Sequence, residues 1–158
     1  IFSGPIIDNI TLLSPISREK AREAARLVGA EDFILKLPEG YDYVLTERGA
    51  TLSVGQRQLL SFARAIAHDP RILVLDEATS SIDTASETLI QEAMKNMMAG
   101  RTSIVVAHRL STIKDADLVL VISDGKIAES GSHDELLKKG GMYKTLYELQ
   151  FKAQERNS

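Results

Sequence analysis

Cysteine is missing from all 158 residues, which excludes disulfides and cysteine-based zinc sites and suits a reducing compartment. No run of lysine and arginine occurs, and the formal net charge is -3. The sequence therefore carries no electrostatic footprint for nucleic acid and no basic helix for a membrane surface. Long apolar runs are missing too. The longest aliphatic stretches, ILVL at 72–75 and LVLVI at 118–122, fall far short of the roughly 20 residues that cross a bilayer, so any membrane connection must lie elsewhere. Internal repeats and low-complexity segments are absent. The opening residues IFSGPIIDNI contain neither Met nor a signal-peptide pattern, and the expectation is a piece of something longer.

What is present is an ordinary globular composition, 44% hydrophobic and 26% charged, at a length that suits one domain. Ala21, Ala24, Ala25 and Val28 fall on one helical face, and Gly29 stops that helix. EDFILKL gives a second short helix ending at Pro38-Glu39-Gly40, and YDYVLTERGA reads as an irregular linker. A helix from about 55 to 68 buries Leu59, Phe62, Ala63 and Ile66 and ends at Asp69-Pro70. Beyond Arg71 the texture changes to short aliphatic runs, ILVLDEA, TSIVVAH and DLVLVISDG, in the manner of buried parallel strands. Between the first two, a helix opened by a capping box from Thr84 to Glu87 turns Leu89, Ile90, Ala93, Met94, Met97 and Met98 to the core. Strand, helix and strand at this spacing make an α/β unit. Asp124-Gly125 signals a hairpin turn, Ser132 to Glu135 forms another capping box, and a last helix over about 142–152 carries Met142, Leu146 and Leu149.

Three places carry chemistry. Ser53 to Gln56, in TLSVGQRQLL, is a capping box at the mouth of an apolar-periodic helix. The same arrangement, a small hydroxyl with glycine and open N–H groups, is also what an anion needs at the positive end of a helix. ILVLDE ends a strand on two adjacent carboxylates, Asp76 and Glu77, at the sheet edge where ligands of α/β proteins bind. In a phosphoryl-transfer site one would serve Mg²⁺ and the other the attacking water; in the alternative, both simply leave the strand into solvent. IVVAHR leaves His108 at the end of the next strand, in company that raises it above a structural histidine. His68 and His133 have no such company and read as structural.

LSVGQ, then ILVLDEATSSID, then AHRLSTI, in this order and spacing, resemble the nucleotide-binding domain of ATP-binding-cassette (ABC) transporters of the exporter type, over essentially the whole chain. The resemblance implies an α/β fold, with a helical signature subdomain at 1–69 and the C-terminal part of a RecA-like P-loop NTPase core, with a mainly parallel sheet, at 70–158. It implies ATP and Mg²⁺ as cofactors. Ser53, Val54, Gly55 and Gln56 take the place of the signature facing the γ-phosphate of ATP held by an opposite subunit. Asp76 takes that of the Walker B aspartate at the metal, Glu77 the catalytic base, Asp83 the D-loop aspartate and His108 the switch histidine. Glu47, Arg48 and Gly49 fall in the segment near the membrane domain. The implied partners are a second nucleotide-binding domain and transmembrane domains, with no nucleic acid, on the cytoplasmic face of a membrane.

Two departures stand out. Val54 replaces the commonest glycine of the signature and would be strained at positive φ. No G-x-x-x-x-G-K-[ST] occurs among the ten glycines, so the phosphate-cradling loop is missing. In the family's sheet order, the strand leading into that loop lies between the strands at 102–107 and 117–122. A soluble ABC ATPase and a non-catalytic interaction module remain as alternatives.

Overall fold

In the computed structural model, which describes residues 1–76, 84–107 and 110–150, the chain is an α/β structure with two compact units. Among the described residues, one consists of Ile1–Leu75 and 84–104, and the other of Asp76, 105–107 and 110–150. Helix α5 (Thr84–Met98) packs on the helix α4 (Val54–Ala67) within the first unit.

The first unit is built around α4. Helices α1 (Ile6–Thr11) and α2 (Arg18–Leu27) pack against it, and α3 (Glu31–Ile34) follows α2. The Ser17 hydroxyl accepts the N–H of Lys20 to start α2, with Glu19 in its first turn and Arg26 in its last, each charge matching the helix dipole. Its buried face is Ala21, Ala24 and Ala25, small residues that admit α4 closely, and α4 answers with Leu59, Leu60, Phe62, Ala63 and Ile66. On α5 the buried face is Ile90, Ala93, Met94 and Met97. Leu89, expected inside, is 51% exposed: the apolar stripe is wider than the surface α4 covers.

The stretch after Gly40 is more ordered than a linker. Strand β2 (Val44–Leu45) pairs antiparallel with β1 (Gly4–Pro5), Gly4 opposite Leu45, and a 3-10 turn lies on either side of β2. Tyr41 and Leu45, both buried, pin it down. Two-residue strands carry no alternation that a sequence could reveal. Further along, β3 (Ile72–Asp76) pairs with β4 (Thr102–Val106), and the Thr102 N–H donates to the Arg71 carbonyl at 3.3 Å.

In the second unit, α6 (Leu110–Lys114) precedes a hairpin of β5 (Val119–Ser123) and β6 (Lys126–Gly131). Asp124 and Gly125 have φ of 51° and 73°, the two left-handed positions of a tight hairpin turn whose twist suits the strands. The Ser132–Glu135 capping box opens α7 (His133–Lys139), and α8 (Met142–Gln150) follows. The core here is Val121, Leu136 and Tyr143. Met142, Leu146 and Leu149, the residues expected to carry the last helix, are exposed; Tyr143 supplies the contact instead. Its hydroxyl lies 2.6 Å from Nδ1 of His133, and its N–H donates to Glu129, so His133 is a structural residue.

Among the described residues the strands form three separate pairs, and β4 and β5 do not pair with each other. The β1–β2 and β5–β6 pairs are antiparallel. The aliphatic strands are covered on one face only: Leu73 and Val121 are buried, whereas Val74 and Ile122 are 71% and 68% exposed. No described helix is long and apolar enough to cross a membrane.

Candidate functional site

The backbone at Ser53 is extended, with φ -64° and ψ 166°. Its Oγ accepts the N–H of Gln56 at 3.1 Å, and its own N–H donates to Oε1 of Gln56 at 2.9 Å. The reciprocal pair satisfies two of the four amides that open α4. Helix geometry supplies no acceptor for the other two, those of Val54 and Gly55. With the Ser53 oxygen acting as acceptor toward Gln56, its hydroxyl hydrogen can still be donated outward.

Ser53 is exposed and Gly55 buried. Val54 is the first residue of α4 and is not among the residues of positive φ, so valine brings no backbone strain in place of glycine. Charge completes the arrangement. Helix α2 opens with Glu19 and α7 with Asp134 and Glu135, but α4 has no acid in its first turn. Its positive end therefore lacks a compensating carboxylate from its own helix.

Two arginines, which the sequence reading missed, hold this helix start in place. Nη1 of Arg57 donates to the carbonyls of Gly49 and Leu52, fastening the chain that leads into Ser53. Two turns further on, Nε of Arg64 donates to the Asn9 carbonyl at 2.7 Å and Nη2 to Oδ1 of Asn9 at 3.3 Å, with the guanidinium 5.8 Å from the Phe2 ring centre. Burial pulls the Arg64 pKa below its ordinary value, and the ring face and carbonyl dipoles stand in for lost water. The sequence clue is Asn9 within PIIDNIT, a polar residue among aliphatic ones.

The other predicted site residues are placed unevenly. Asp76 is exposed at the last position of β3. Glu77, Asp83 and His108 lie outside the described residues. No group of three or more His, Cys, Asp or Glu side chains suited to a metal is assembled among the described residues. One exposed carboxylate at a strand end nonetheless fits Mg²⁺, which keeps several waters and takes other ligands from phosphate.

Residues 6–80 match the family model described as ABC transporter. The chain is 52% identical over 152 residues to an uncharacterized ABC transporter ATP-binding protein, YknV, of Bacillus subtilis, covering 96% of this chain and 25% of that protein. It is also 52% identical over 152 residues to the alpha-hemolysin translocation ATP-binding protein HlyB of Escherichia coli O157:H7, covering 95% of this chain and 22% of that one. The chain thus spans about a quarter of the length of these curated relatives. Among solved structures, a bacterial Atm1-family ABC exporter with ATP bound matches with a TM-score of 0.83 and 41% identity, over 96% of this chain and 27% of that one.

Proposed function

Since this chain belongs to the ABC transporter family, we propose that it is the signature-bearing, C-terminal portion of an exporter's ATPase domain, coupling ATP hydrolysis to transport across a membrane. In this reading residues 1–69 are the signature subdomain and 70–158 part of the ATPase core, on the cytoplasmic side beside transmembrane domains. The observation that carries it is the start of α4: an exposed Ser53 cap with no first-turn acid, on a helix whose following turns are buried.

The cap then acts on nucleotide held by a second nucleotide-binding domain. Ser53 donates its hydroxyl hydrogen, and Val54 and Gly55 their N–H groups, to oxygens of the terminal phosphate. Gln56 holds the Ser53 hydroxyl in that orientation. Asp76 is the residue that would hold Mg²⁺, which when bound neutralises phosphate charge. Glu77 orients and polarises the attacking water, and His108 and Asp83 complete the surroundings of the phosphate.

The test is made in the full-length protein. Glu77→Gln keeps size and hydrogen bonding but removes the basic charge. Turnover is expected to fall roughly 10²- to 10⁴-fold while ATP binding survives, so ATP-closed dimers accumulate in gel filtration. Ser53→Arg places bulk and positive charge at the cap, and the dimer is expected to stay open with ATP bound. The 158-residue chain alone is expected to bind Mg-ATP weakly, since an exposed helix end contributes only about 0.3–1 kcal/mol, and not to turn it over. Near wild-type hydrolysis by Glu77→Gln would remove the role given to that carboxylate.

A further inference from the structure

We propose that Ser86, in the first turn of α5, is a positioning residue for the phosphate-facing cap, because its contact with Gly55 sets how closely the opening turn of α4 approaches α5. The proposal rests on the function assigned to Ser53–Gln56 above. Gly55 is the second residue of α4 and its φ lies outside the left-handed range. Backbone conformation therefore does not call for glycine here, and alanine is the better helix former.

What excludes alanine is space. A Cβ at position 55 would lie 2.9 Å from Cβ of Ser86, 3.1 Å from its Oγ and 3.9 Å from Cδ1 of Ile90. Carbon atoms in good contact sit about 3.5–4.0 Å apart, so one helix would have to move. Ser86 cannot swing out of the way, since its nearest atom is the Cβ itself, which no rotamer change displaces. Ile90, one turn further along the same face of α5, is buried and backs the contact. The contact also joins two stretches that the proposed reaction uses. Ser53 and Val54 immediately precede Gly55, and α5 begins at Thr84, one residue after Asp83.

A shift in this contact moves the cap relative to the phosphate without touching the atoms that grip the nucleotide elsewhere. Misplacement of a catalytic group by about 1 Å costs up to about 10²-fold in rate. The loss belongs in kcat, with KM for ATP largely kept.

The experiment uses full-length protein and measures kcat and KM for Mg-ATP in the unaltered protein and in Gly55→Ala, Gly55→Ala/Ser86→Gly and Gly55→Ala/Ser86→Ala. Gly55→Ala is expected to lower kcat about tenfold or more at little change in KM. Adding Ser86→Gly removes the opposing Cβ and restores most of the rate. Adding Ser86→Ala removes only the hydroxyl, keeps the Cβ, and leaves the variant slow. Rescue by glycine but not alanine identifies the Cβ contact as the cause, and thermal melts of the same variants, with kcat taken per folded protein, separate positioning from loss of stability. The positioning role is overturned if Gly55→Ala turns over like the unaltered protein, if Ser86→Gly fails to rescue it, or if Ser86→Ala rescues equally well. An unaltered protein without ATP turnover overturns the functional reading itself, which separates the two failures.

Discussion

Tyr41 shows how a single buried side chain ties charge to the fold. Its hydroxyl donates to Oε1 of Glu31 at 3.1 Å, and the Arg22 guanidinium lies 5.5 Å from its ring centre. Burial first, and then the Glu31 carboxylate, push its pKa up to about 12. An acid whose pKa is raised by folding contributes stability below its unfolded pKa, about 10, and loses it as pH rises through the folded value. The protein should therefore lose stability between about pH 10 and 12, and Tyr41→Phe should flatten that decline. Glu31 behaves with the opposite sign. Its hydrogen bond from Arg26, and then that from Tyr41, hold its carboxyl below the usual range, so its contribution is present at neutral pH and fades in acid. Denaturation followed across alkaline pH checks the first claim; identical profiles for the unaltered protein and Tyr41→Phe would contradict it. None of this was legible in the sequence, because Glu31 and Tyr41 are ten residues apart and their side chains meet only in the folded chain. The Ser53 cap was legible, because hydroxyl and amide three residues apart act on their own backbone.

Elements here are joined by polar side chains placed where periodicity alone expects apolar ones. Asn9 is fully buried; its Nδ2 donates to the carbonyls of Phe2 and Pro5, and its Oδ1 accepts from the Phe2 N–H and from Arg64. One amide thus fastens the start of the chain, α1 and α4 together. Asn9→Ala leaves these partners unmatched, at a cost of about 1–3 kcal/mol for a buried group. The amides of α1 should then exchange hydrogen roughly ten- to a hundredfold faster, measured by mass spectrometry on the full-length protein, while those of α8 keep their protection. Unchanged exchange in α1 would show that the link is dispensable. Arg64→Lys should act in the same direction, because an ammonium cannot reproduce the planar fork that meets both Asn9 oxygens. Helix positions were readable from apolar spacing at α2, α4 and α5, where one face meets a neighbour. The reading failed at Leu89 and at Met142, Leu146 and Leu149, because periodicity reports which residues could be buried but not how much surface a neighbour supplies.

At the scale of the whole chain, strand composition and strand exposure disagree. Ile72, Val74, Ile104 and Val106 on β3 and β4, and Leu120 and Ile122 on β5, are between 48% and 71% exposed, although aliphatic runs of this kind belong in sheets covered on both faces. The sequence told correctly that both faces of these strands are apolar. It could not tell what covers the second face, since coverage comes from segments distant in the chain. Such faces, together with strand edges left unpaired among the described residues, favour association. The 158-residue chain by itself is therefore expected to self-associate at micromolar concentration, with a weight-average sedimentation coefficient that rises with concentration. Val74→Lys and Ile122→Lys put charge on the open faces and should each weaken association without unfolding the helices. Leu73→Lys is the contrasting variant, because Leu73 is buried and an unpaired charge there should unfold its surroundings. A chain that sediments as a monomer at every concentration, or whose association is indifferent to Val74→Lys and Ile122→Lys, would show that these faces are not what brings copies together.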